Sequence, residues 1–233
     1  RYIRFFTNYS KQPHNPETIR KLKINIGGIS KLSKDRLLDE LRKIVSLTTL
    51  EKISKDRLIL DLISVIFPEL KNIKIFSRLN ENQKAFLVNI DFIFMLSLMI
   101  VDGKDNVDYF LYKFNISKKN QKRIKIIDEF FKENKNKNTF SEKNMNKIFY
   151  YNGRQAVIDI LQFRIINSKK FDEKLMELVK IYKYKISPIM PVGADVLMAK
   201  YKIPEGKQLG LKLKIIEEEW VKNDFKISDE QIE

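Results

Sequence analysis

Apolar residues recur along this chain at helical rather than alternating spacing, and polar capping residues divide the runs more often than glycine does. Asn15-Pro16-Glu17 predicts a helix start, since Asn offers a capping oxygen, proline suits the first helical position and Glu17 complements the positive end of the dipole. Gly27-Gly28 is expected to end that helix. The next begins at Ser33, with Leu32 and Leu37 spaced for a hydrophobic staple, and Leu37, Leu41, Ile44 and Val45 then line one face. Ser54-Lys55-Asp56-Arg57 echoes Ser33-Lys34-Asp35-Arg36 and predicts a third start, leading into an apolar run that ends near Phe67-Pro68. Further helices are predicted over 82–101, 118–132, 153–166 and 171–184, with the Asn- and Lys-rich stretch 134–138 as a solvated loop. Pro188, Pro191 and Gly193 break the chain before a helix over 195–202. Pro204-Glu205-Gly206 precedes a last helix over 209–225, which carries the only tryptophan, Trp220. Seven glycines and six prolines are too few for a β-sandwich or barrel, so short helices and short joints predict an all-α array rather than a single bundle.

Charge changes the picture from a bland helical protein to one suited to an anionic partner. Forty-five Lys and Arg against 30 Asp and Glu give a formal charge of +15 over 233 residues. A lysine-, isoleucine- and asparagine-rich composition would raise the charge without any selection for binding, but it would spread evenly. Instead residues 1–50 and residues 113–148 each hold 11 basic and 4 acidic side chains, whereas 204–233 hold 5 and 8. The absence of cysteine excludes disulfides and thiolate metal sites and suits a reducing cytoplasm. No signal peptide is visible, and the most apolar run, 85–101, is short and interrupted by Asn89 and Asp91, which predicts a buried helix and no membrane partner. The opening Arg1-Tyr2-Ile3-Arg4-Phe5-Phe6, with neither Met nor a cap, reads as a cut end, left either by removal of something upstream or by numbering that begins inside a longer reading frame.

The inventory of reactive groups argues against a catalytic centre or metal site in this chain. His14 is the only histidine and, between Pro13 and Asn15-Pro16, reads as a turn residue. No glycine-rich phosphate loop and no Asp-x-Asp occur. Asp102, Asp105 and Asp108 around Gly103 read as solvated loop acids, and Glu217-Glu218-Glu219 as the charged outer face of the last helix. Arg1 and Arg4 share one helical face beside Tyr2, Phe5, Phe6 and Tyr9, a set that forks onto phosphates and stacks bases, though it equally fits an amphipathic core helix. Arg36 and Glu40 form an i, i+4 pair in the weaker orientation, worth about 0.3 kcal/mol when exposed.

Arg1-Tyr2-Ile3-Arg4-Phe5-Phe6 resembles the tail of the arginine-rich neck motif of the bacterial class II tRNA nucleotidyltransferases, the CCA-adding and poly(A) polymerase family. Ser33-Lys34-Asp35-Arg36-Leu37-Leu38-Asp39-Glu40-Leu41 is similar to that family's motif Ser-x-Glu-Arg-Ile-x-x-Glu-Leu, with Asp35 in place of the usual Glu. The Lys11-to-Ile19 segment between them also fits. Gly193-Ala194-Asp195-Val196-Leu197, the turn Gly206-Lys207-Gln208-Leu209-Gly210 and Trp220 resemble its tail pattern.

The resemblance implies the end of a neck over 1–70, a helical body over 71–185 and a tail over 186–233, without the α/β nucleotidyltransferase head. Magnesium and ATP or CTP are expected only in that head, supplied upstream or on a separate chain, so this chain alone is expected to be inactive. Its expected partner is tRNA, gripped through phosphates and shape. Candidate RNA contacts are Arg1, Arg4, Lys118, Lys119, Lys122 and Arg123, and Ser33, Asp35, Arg36 and Glu40 are expected to act structurally within the neck. The alternatives are a stand-alone, non-catalytic helical RNA-binding module and the remnant of a decayed gene.

Overall fold

A computed structural model describes residues 1–133, 139–168 and 172–232. The described residues form fourteen α-helices and three 3-10 turns, with no strand among them. The helices are α1 (Tyr2–Tyr9), α2 (Pro16–Asn25), α3 (Lys34–Ile44), α4 (Leu47–Lys55), α5 (Arg57–Ile66), α6 (Glu81–Leu87), α7 (Phe92–Ile100), α8 (Asn106–Lys113), α9 (Lys118–Glu133), α10 (Glu142–Asn152), α11 (Arg154–Asn167), α12 (Glu173–Tyr184), α13 (Ala194–Tyr201) and α14 (Lys207–Lys222). The all-α array expected from the apolar spacing is what forms. The stretch 134–138, expected as a loop, and Phe171, expected to open α12, lie outside the described residues.

Capping chemistry sets the helix starts. Asn15 accepts from the Thr18 N–H, Ser33 from Arg36, Ser46 from Thr49 and Asp56 from Ile59, each contact contributing about 1 kcal/mol. Two expectations are corrected at this level. The echo at Ser54 is not a start: Ser54 ends its own helix, donating its hydroxyl to the Glu51 carbonyl, and Asp56 caps α5 instead. Gly27-Gly28 does not stop α2 abruptly either. That helix tightens into the 3-10 turn Ile26–Lys31, which contains both glycines.

The chain divides into two units, one of residues 1–135 and 162–171, the other of 136–161 and 172–233, with the boundary inside α11. The first is built around α7, in which every residue from Ile93 to Ile100 is buried, as for a helix surrounded by others. The expected helix over 82–101 is in fact two. Asn89 adopts a left-handed φ of 69° and Asp91 caps α7 by accepting from Ile93 and Phe94, so the two polar interruptions mark a real break. No described helix is long and apolar enough to cross a membrane. Asn106 donates to the carbonyls of Glu69 and Ile100, satisfying groups that would otherwise be buried without partners.

The second unit holds α10, most of α11, and α12 to α14. Asn146 organises it, its side-chain oxygen accepting from Tyr182 and Lys185 (both 2.6 Å) and its nitrogen donating to Asp224 at 2.7 Å. Burial beside Glu142 and Asp224 raises the Tyr182 hydroxyl, so that it stays a donor. Trp220 packs edge-on against Tyr150 and against Phe225, and the helix carrying it stops at Lys222 rather than at the expected 225.

Candidate nucleic-acid interface

The N-terminal helix divides its aromatic residues between two faces. Tyr2 and Phe6 turn inward, Phe6 stacking on the His14 ring with centroids 3.7 Å apart. His14 Nε2 lies 2.6 Å from Asp56 and Nδ1 lies 2.8 Å from the Tyr2 hydroxyl, each within hydrogen-bond distance. Asp56 thus holds His14 with one carboxylate oxygen and caps α5 with the other. His14 is therefore an anchoring side chain between α1 and α5, and not the plain turn residue that its Pro-His-Asn-Pro surroundings suggest. Phe5 and Tyr9 point outward, 53% and 75% exposed, with rings 6.0 Å apart.

The two arginines divide in the same way. The Arg1 side chain is exposed, whereas Arg4 Nε lies 3.2 Å from Glu40 of α3 and its guanidinium covers the Phe5 ring. Glu40 also meets Lys43 at 3.5 Å, and among the described residues no ion pair joins it to Arg36, which is exposed. The expected Arg36–Glu40 pair is replaced by a contact between helices, because a carboxylate facing α1 gains more from a partly buried guanidinium than from a solvated one. Ser33 and Asp35 occupy the cap and first turn of α3.

Burial raises the Glu40 carboxyl, but Arg4 and Lys43 act against it and hold the group below its ordinary 4.5. A carboxylate depressed on folding stabilises the fold above its unfolded pKa, and that contribution is lost as the pH falls through the folded value. Glu40→Gln should therefore cost about 1 kcal/mol at pH 7. Thermal midpoints of the two proteins should converge as the pH is taken below 4.5; a gap that stays constant down to pH 3 would refute this assignment.

Helix α9 carries the other basic cluster, and its cations fall into two sets. Arg123 forks onto Asp91, both contacts 2.8 Å, and so braces the cap of α7. Burial raises the Asp91 carboxyl, but Arg123 and the helix N–H groups outweigh it and leave it lowered. Lys125 and Lys132 share Asp108, and Lys132 also holds buried Asp128 at 2.6 Å. Lys118, Lys119 and Lys122 are exposed and have no ion-pair partner among the described residues, and no acidic residue lies in their helix's first turn. Three uncompensated positive charges at the positive end of a helix are unfavourable to the fold and favourable to a bound polyanion.

Two residues that the sequence reading passed over are exposed aromatic side chains on α8, the helix before α9. Tyr109 and Tyr112 of α8 are 64% and 94% exposed, while Val107, Phe110 and Leu111 take the core-facing positions. Asp108 of the same helix meets Lys125 of α9 at 3.4 Å. Tyrosines spaced by three between core positions were the available signal.

The acids that could suggest catalysis are dispersed. Asp102 pairs with Lys71, Asp105 precedes α8, and Asp108 lies within that helix rather than in the expected loop. Glu217 accepts from Tyr150, whose hydroxyl is pushed up to about 12 by burial and by this carboxylate, while Glu218 and Glu219 pair with Lys214 and Lys222. Glu217 thus faces a neighbour instead of lying on the outer face. Among the described residues no group of three or more His, Asp or Glu side chains is gathered as a metal site requires.

No family model matches the chain. It is similar to CCA tRNA nucleotidyltransferase 1, mitochondrial, of Homo sapiens, with 23% identity over 247 residues, an alignment that takes in 100% of this chain and 52% of the human protein. The chain spans about half the length of that curated relative. The likeness supports a relationship to the tRNA nucleotidyltransferase family.

Proposed function

We propose that this chain is the tRNA-binding C-terminal portion of a bacterial class II tRNA nucleotidyltransferase, working in the cytoplasm on tRNA 3′ ends together with a catalytic head. The observation that carries the reading is the alignment of the whole chain with half of a CCA tRNA nucleotidyltransferase, joined to an all-helical fold. Residues 1–70 serve as the end of the neck, 71–185 as the body and 186–233 as the tail. The magnesium ions and the ATP or CTP would belong with the head.

Within this reading Lys118, Lys119 and Lys122 contact tRNA phosphates, and Tyr112 offers a ring face to an unpaired nucleotide. Arg1 is free to reach RNA, while Arg4 and Glu40 order the junction of α1 and α3, and Ser33 and Asp35 shape the start of α3. Arg123 supports the surface through Asp91.

Binding of the purified chain to tRNA and to an unrelated duplex of equal length, each across a range of salt, tests the reading. Preference for tRNA, with affinity falling by a log–log slope of roughly −0.7 to −0.9 per phosphate contact, is the expected result. Equal, weak binding to both would overturn it. Restoration of 3′-nucleotide addition on mixing with a head domain from a related enzyme would extend the result to the enzyme's activity.

A further inference from the structure

The 3-10 turn Ile73–Ser77, the start of α6 and the C-terminal end of α11 enclose a cavity of about 530 Å³ within the first unit. Its lining includes Lys71, Lys74 and Arg78 and contains no Asp or Glu. Lys71 is tied to Asp102 at 3.2 Å, whereas Lys74 and Arg78 have no ion-pair partner among the described residues. Two free cations four residues apart repel one another unless a counter-charge enters.

The end of a helix would ordinarily present carbonyl oxygens and repel an anion. Here that end is covered. Buried Gln83 donates through Nε2 to the carbonyls of Ile165, Ile166 and Ser168 at 3.0, 3.2 and 2.9 Å, and its oxygen accepts from the Asn80 N–H at 3.1 Å. Asn167 donates to the Phe163 carbonyl at 2.9 Å. Donors offered to the cavity are Lys74, Arg78, the Asn80 amide nitrogen and the Ser168 hydroxyl, which can also accept, beside the amide oxygens of Asn72 and Asn167, whose nitrogens are engaged by the Val101 and Phe163 carbonyls.

From this acid-free lining we infer that the cavity is a phosphate-binding site, and that its occupant is a backbone phosphate of the bound RNA with its flanking sugars. The volume lies within the roughly 300–1,000 Å³ range of small-ligand sites and exceeds what a lone phosphate needs. The phosphate chemistry follows from the cavity alone, and the choice of RNA rests on the tRNA-binding reading. This site is separate from the α9 lysines.

Two arms on the full chain test it. In the first, inorganic pyrophosphate is titrated while amide resonances of Asn80, Gln83 and Ser168 are followed; saturable shifts are expected, and they should be absent from the Lys74→Gln/Arg78→Gln variant. In the second, that variant, with an unchanged circular dichroism spectrum, should bind tRNA with a salt slope about 2 less steep than the native chain. Pyrophosphate shifts with an unaltered tRNA slope would overturn the RNA assignment and leave a site for free phosphate compounds. No shifts and no change in slope would overturn the site altogether while tRNA binding by the native chain stands. If the native chain does not bind tRNA, the functional proposal fails, and the pyrophosphate arm still decides the site.

Discussion

With Lys118, Lys119 and Lys122 all replaced by glutamine, tRNA binding should lose about 2 to 3 units of log–log salt slope, with a corresponding drop in affinity at low salt. The thermal midpoint should stay where it is or rise slightly. Both expectations follow from where the three lysines sit. They are exposed at the start of α9, without ion-pair partners among the described residues, and their charges oppose the helix dipole. Removing them costs the fold nothing and costs a polyanion three contacts. Arg123, only one position along, should behave in the opposite way. Arg123→Gln leaves the Asp91 carboxylate without its fork and should lower the midpoint while changing the salt slope little. Filter-binding isotherms at several salt concentrations, alongside thermal melts, separate the two behaviours. An unchanged slope in the triple variant would remove α9 from the interface.

Phe94→Ala should destabilise the chain by about 3–5 kcal/mol. Phe94 is fully buried in α7, within the core of the first unit. Deleting a ring there removes its transfer free energy and opens a cavity that neighbouring helices close only in part. At about 2–4 °C per kcal/mol for a chain of this size, the melting midpoint should fall by on the order of 10 °C. Denaturant unfolding followed by far-ultraviolet circular dichroism measures the loss directly. A change below about 1 kcal/mol would mean that α7 does not hold the central position described.

The break within 82–101 shows how far local reading reaches. Asn89 and Asp91 were visible as polar interruptions, and they counted correctly against a membrane span. That one adopts a left-handed φ while the other caps a new helix depends on backbone geometry that composition does not encode. Ser54 is the converse case. Its tetrapeptide copies the Ser33 start, but Asp56 is the better-placed acceptor because His14, 42 residues away, already orients it. Helices α4, α8 and α10, of 9, 8 and 11 residues, passed unnoticed.

Helix content, the caps at Asn15 and Ser33, the apolar stripe of α3 and the excess of positive charge were determined by the sequence itself, since all depend on residues within a few turns of one another or on simple counting. Only the tertiary structure decided which charges are committed and which are free. Arg4 is held by Glu40 and Arg123 by Asp91, partners 36 and 32 positions apart, whereas among the described residues Lys118, Lys119, Lys122, Lys74 and Arg78 are left over. Helical periodicity states which side of a helix a residue occupies. Whether a counter-charge waits on that side depends on how distant helices pack, and a pattern that repeats every 3.6 residues carries no information over that distance.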